Sequence, residues 1–154
     1  MLEKTSQYLI GALANLKRLT DAKVAAHKDE VPYIRGEKSL YDYTAEPTQV
    51  DIVLSGGEII NDLLIMHTLG HKTESICILH KATEALFRGD LVYEENGVLY
   101  EIPTHYPLDP ELNRKLIASL INISDIKHIL PSHDKPIIER GYEALKNLVL
   151  RLKV

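Results

Sequence analysis

The chain contains no tryptophan, one phenylalanine, two methionines and one cysteine. The lone Cys77 excludes an internal disulfide and any zinc site built from several cysteines. No apolar run approaches the roughly eighteen residues that a membrane-spanning helix needs, and no basic block exceeds the Lys17-Arg18 pair. With 18 Lys+Arg against 22 Asp+Glu, the formal net charge is −4. That balance offers no footprint for nucleic acid or for an anionic membrane. The amino terminus, MLEKTSQYL, lacks the basic-then-apolar pattern of an export signal, so the expected compartment is the cytoplasm. What is present is ample aliphatic content: 154 residues at 45% hydrophobic and 26% charged. A chain of this size buries roughly two-thirds of its unfolded surface in one core, and residues 1–154 read as one domain.

Helical and strand patterns alternate along it. Thr5 or Ser6 is placed to cap a helix with Leu9, Leu13 and Leu16 on its apolar face, ending near Thr20. Residues 22–27 (AKVAAH) have strand length; residues 28–49 turn polar and carry Pro32, Gly36 and Pro47, a connection with room for one short helix. Val50, Ile52 and Leu54 alternate with polar residues, and Gly56-Gly57 can supply positive φ, so a hairpin returning through Ile59-Ile60 is expected. Residues 63–67, 75–80, 84–87 and 127–130 are short aliphatic runs of buried-strand type. Asp109-Pro110 is a strong helix start, with Leu112, Leu116, Ile117 and Leu120 as its buried stripe. A last helix is predicted from Pro136, through Ile138, Tyr142, Leu145, Val149 and Leu152. The sum is a layered α/β (α+β) domain.

Three strand ends share one local grammar: Leu64-Ile65-Met66-His67-Thr68-Leu69-Gly70-His71, Ala85-Leu86-Phe87-Arg88-Gly89-Asp90 and His128-Ile129-Leu130-Pro131-Ser132-His133. Each buried strand is followed by a small residue and then by His or Asp. Gly or Ser lets the chain turn sharply and lets a metal ion approach the backbone. Two imidazoles and a carboxylate suit zinc, manganese or iron.

Read in order, His67-Thr68-Leu69-Gly70-His71-Lys72, Gly89-Asp90 and Pro131-Ser132-His133 resemble the glyoxalase-II-like members of the metallo-β-lactamase superfamily. The resemblance implies an αββα sandwich, metal-ligand roles for His71, Asp90 and His133, with Asp90 bridging two ions and the candidate catalytic group, and hydrolysis of an ester or thioester. Substrate contacts are expected from His105 and Tyr106. It also implies an H-x-H-x-D-H motif ahead of Ile10-Gly11-Ala12-Leu13, where Lys4-Thr5-Ser6-Gln7-Tyr8-Leu9 stands instead, without His or Asp. The expectation is an N-terminally truncated version of the fold. Two functions follow. One is a protein of low or no activity with an incomplete site, or one half of a split enzyme. The other is an active hydrolase using a reduced, single-metal site with zinc, manganese or iron.

Other histidines read differently. His67, His80 and His128 are assigned to structure; His27 and His105 read as surface residues that could stand in for a missing ligand. Cys77 reads as a small buried hydrophobe. Absent early strands would leave residues 22–27 as an uncovered edge, so the expected partner is a second copy of the chain, or a chain supplying the missing strands, with residues 1–27 in the interface.

Overall fold

The computed structural model describes residues 3–39, 44–68, 75–103, 109–131 and 134–152, with side chains from residue 11 onward. They gather into two compact units, residues 1–55 and 56–154.

In the first unit, helix α1 (Glu3–Thr20) is followed by strand β1 (Ala25–His27), the short helix α2 (Val31–Ile34) and strand β2 (Ile52–Leu54). α1 begins at Glu3, so Thr5 and Ser6 lie inside the helix instead of capping it. β1 and β2 pair in parallel, Ala25 opposite Ile52 and His27 opposite Leu54. The pairing is prepared by Asp51, whose carboxylate accepts from the Val24 amide at 2.8 Å and pairs with Lys17 of α1. Val24, Ala26, Val31, Ile34 and Val50 form the small core, with Leu13 packed against it.

The second unit is built on a five-stranded sheet, in the order β3 (Ile59–Ile60), β4 (Leu63–His67), β5 (Ile76–His80), β6 (Ala85–Phe87) and β9 (His128–Leu130). All neighbours are antiparallel except β6 and β9, which run parallel. A separate hairpin, β7 (Val92–Glu95) with β8 (Val98–Glu101), turns at Asn96-Gly97. Helices α3 (Pro110–Leu120) and α4 (Gly141–Leu152) supply Ile117, Leu120, Leu145 and Leu148 to a core shared with Cys77, Leu79, Leu86 and Ile129. Side chains on a strand alternate between faces; in β5, Cys77 and Leu79 accordingly point into that core while Ile76, Ile78 and His80 are only half-buried. No helix among the described residues is long and apolar enough to cross a membrane.

Two expected elements are corrected. The hairpin through Gly56-Gly57 does not form. Both glycines have φ of +95°, yet β2 pairs with β1 and β3 pairs with β4 through a turn at Asn61-Asp62. The final helix starts at Gly141, not Pro136. Ile137 bridges back to Ile129 with N–H···O bonds of 2.8 and 2.9 Å in the two directions. Its side chain thereby enters the core, while Ile138, expected in the helical stripe, is half exposed. Asp109 caps α3 as expected, accepting from the Leu112 amide at 2.9 Å with Pro110 in the first turn. Asn113, not Leu112, shares the buried face of that helix with Ile117 and Leu120.

Candidate metal centre

The sheet of the second unit decides where the chemistry-bearing connections emerge. β6 and β9 are parallel, with Ala85 opposite His128, Leu86 opposite Ile129 and Phe87 opposite Leu130. The Arg88 amide donates to the Leu130 carbonyl at 3.2 Å, extending the pairing by one bond. Asp90 is three residues past Phe87, and His133 is three residues past Leu130. On the other side of β6, β4 ends and β5 begins at the same edge, with His67 opposite Ile76. The Thr68 amide donates to the Ser75 carbonyl at 2.8 Å and so closes the base of the connection that contains His71. Three connections, 68–75, 88–91 and 131–136, therefore leave one edge of one sheet.

At the middle connection the chain must turn at once. Gly89 adopts φ +57°, a left-handed conformation that costs glycine little, and the Leu91 amide closes the turn on the Arg88 carbonyl at 3.4 Å. Asp90, half-buried, sits on that turn. Beneath it lies Arg88, 2% exposed, whose Nη1 donates to the Gly89 carbonyl at 3.1 Å. Among the described residues its Nε and Nη2 have no hydrogen-bond partner. Burial pulls the guanidinium down to about 10, against the opposing pull of Asp134, the Cys77 thiol, Asp90 and Glu94. It remains charged at neutral pH, and the carboxylates around it offset part of the cost of its burial. Cys77, fully buried, donates to the Arg88 carbonyl at 3.2 Å, and burial pushes its thiol up to about 12. It is inert as a nucleophile.

Of the residues expected to act, Asp90 lies on the edge just described; His71, His133, His105 and Tyr106 fall outside the described residues. Among those described, no group of three or more His, Cys, Asp or Glu side chains is placed to hold a metal ion. His27 is not a surface residue: it is 2% exposed on β1, its Nδ1 accepting from the Asp29 amide at 3.4 Å and facing the Asp29 carboxylate at 3.5 Å. His80 and His128 are structural. They stand at the end of β5 and the start of β9, the opposite edge of the sheet, bonded to the Thr83 hydroxyl (2.6 Å) and the Glu139 amide (3.2 Å). Arg88 is the residue that spacing did not single out. Its signal was present, as a charged residue in the apolar run ahead of Gly89-Asp90.

Across residues 10–133 the chain matches the family model of the metallo-β-lactamase superfamily. It belongs to that superfamily. Curated relatives include the acyl-coenzyme A thioesterase MBLAC2 of Bos taurus, 28% identical over 95 residues, which are 59% of this chain and 34% of the relative. The Homo sapiens MBLAC2 is 27% identical over the same shares. The chain thus spans about a third of the length of these relatives. Solved superfamily structures share the fold at low identity. TTHA1623 in a di-iron-bound form superposes with a TM-score of 0.63 at 19% identity, over 88% of this chain and 68% of its own. The archaeal superfamily protein ST1585 of Sulfolobus tokodaii superposes at 0.62 and 17% identity, over 94% of this chain and 63% of its own.

The superfamily fold implies metal, and of the described residues Asp90, a carboxylate on a tight turn, is of the oxygen-donor type that zinc and iron accept.

Proposed function

We propose that this chain supplies part of the metal centre of an acyl-thioester hydrolase, with His71, Asp90 and His133 as metal donors and low or no turnover from the chain alone. The observation that supports the reading is the parallel rung between Phe87 and Leu130, since Asp90 and His133 each follow in sequence three residues after one member of that rung. Thioester as the substrate class is supported by the similarity to MBLAC2. Low turnover is supported by the donor count, because the 154 residues contain no H-x-H-x-D-H sequence. A bound zinc, iron or manganese ion would supply a hydroxide at neutral pH and polarise the thioester carbonyl. The chain's own part is to hold that ion through two imidazoles and a carboxylate. His105 and Tyr106 contact the acyl substrate in this reading.

The remaining donors come from a different chain that carries the missing motif, and, separately, the open face of the first unit takes a partner. A second copy of the chain packs on residues 1–27: Leu16 and Leu19 of α1 and Val53 of β2 are 55%, 83% and 52% exposed, and neither β1 nor β2 has a further strand partner among the described residues. Open strand edges with apolar neighbours favour association. Light scattering at micromolar concentration checks this; a monomer alone rejects the second copy.

Metal analysis of protein prepared without chelator tests the centre. The expected result is up to one ion per chain, lost in His71→Ala, Asp90→Ala and His133→Ala, with little hydrolysis of acyl-CoA thioesters. Absence of metal under zinc- and iron-replete conditions overturns the reading. One ion per chain accompanied by brisk turnover replaces it with the single-metal enzyme.

A further inference from the structure

We propose that Glu94 is a positioning residue that ties the segment following His133 to the strand following Asp90. Glu94 lies on β7, four residues past Asp90, and is 9% exposed. Its two carboxylate oxygens are both engaged by backbone. One accepts from the Lys135 amide at 3.2 Å, and the other accepts from the Gly97 amide at the hairpin turn. In return the Glu94 amide donates to the Asp134 carboxylate at 3.4 Å. The two residues beyond His133 are thus held by a reciprocal cross-brace: side chain of 94 to backbone of 135, backbone of 94 to side chain of 134.

The brace grips a turned backbone. Asp134 has φ +72°, a left-handed setting that Asp adopts more readily than most non-glycine residues but still at some cost. Arg88 supports the arrangement electrostatically. Its buried guanidinium is opposed to Asp134 most strongly among the carboxylates, then to Asp90 and Glu94, so one cation serves the carboxylates at both ends of the brace. Bonds from amides to an ionised acceptor are stronger than neutral ones, and a carboxylate accepts at two oxygens where an amide side chain accepts at one. Both Glu94 oxygens face backbone amides and belong to no group of three donors among the described residues. Glu94 acts on the centre through position, as partners of metal ligands commonly do.

The proposal rests on reading Asp90 and His133 as donors, and Glu94→Gln separates the two ideas. Gln keeps the shape but can accept only one of the two amide protons. In metal-free protein, hydrogen exchange at the Lys135 or Gly97 amide should accelerate by roughly tenfold or more, while core amides such as that of Leu86 stay protected. With metal, competition against a chromogenic zinc chelator should show affinity lowered by about 10- to 100-fold. Unchanged exchange at both amides overturns the brace. Faster exchange with unchanged zinc affinity overturns its positioning role. If wild-type protein binds no zinc, the metal reading of the preceding subsection fails, and the brace stands or falls on exchange alone. Should Glu94→Gln not fold, Asp134→Gly removes the other half of the brace while suiting the left-handed backbone, and the Glu94 amide should then exchange faster; an unaltered rate overturns the proposal.

Discussion

A Cβ placed on Gly56 would lie 2.6 Å from the Cβ of His67 and 3.0 Å from its amide nitrogen. The backbone ahead of β3 thus runs directly against the end of β4, at the point where the connection bearing His71 departs. Gly56→Ala combines this overlap with a φ of +95° and should lower stability by about 1–3 kcal/mol. Urea titration would show a lower midpoint at unchanged slope. Gly57 shares the φ but faces open space, so Gly57→Ala should cost less; equal losses would show that the approach to His67 is unimportant.

Cys77 makes stability fall at alkaline pH. Burial holds its thiol protonated up to about 12, against an ordinary value near 9. Above pH 9 the unfolded chain loses this proton while the folded chain keeps it, so the contribution is complete below pH 9 and disappears as pH rises toward 12. Cys77→Ala should flatten that part of the pH–stability curve. In the folded protein a thiol reagent should react only at the rate of unfolding.

Asp109 is an isolated cap whose value can be measured cleanly. Its carboxylate accepts from the Leu112 amide at the exposed start of α3, and Asp109→Ala should cost about 1 kcal/mol in denaturant unfolding. Asp109→Asn, which keeps the acceptor, should cost less.

Leu86 has no exposed surface and sits at the centre of β6, between β5 and β9. Leu86→Ala should destabilise the second unit by about 2–5 kcal/mol. Because the same strand leads into Arg88 and Asp90, any zinc affinity of the proposed centre should weaken together with the unfolding midpoint.

Some of this was legible in the chain itself. Asp109-Pro110, the aliphatic runs of β4, β5, β6 and β9, and the glycine before Asp90 each announce themselves through local chemistry: a side-chain acceptor, a buried stripe, a tolerated left-handed turn. The structure gives Gly56-Gly57 the positive φ expected of it, yet no hairpin forms there, because turn chemistry does not name the strands it joins. A turn signal that does mark a hairpin is Asn96-Gly97, between β7 and β8. Pro136 looked like a helix start because proline suits a first turn, but Ile137 gains more by bridging to Ile129 and entering the core.

The order of apolar runs, the cap at Asp109 and the donor types along the chain were determined by sequence alone, since each depends on a residue and its near neighbours. Pairing β1 with β2, setting Phe87 beside Leu130, burying Arg88 beneath Asp90 and bracing Asp134-Lys135 on Glu94 were decided only in three dimensions. Those relationships join residues 27 positions apart between β1 and β2, 43 apart between β6 and β9, and about 40 apart at the brace. What settles them is competition among burial, backbone pairing and charge compensation over the whole unit, which no local window contains.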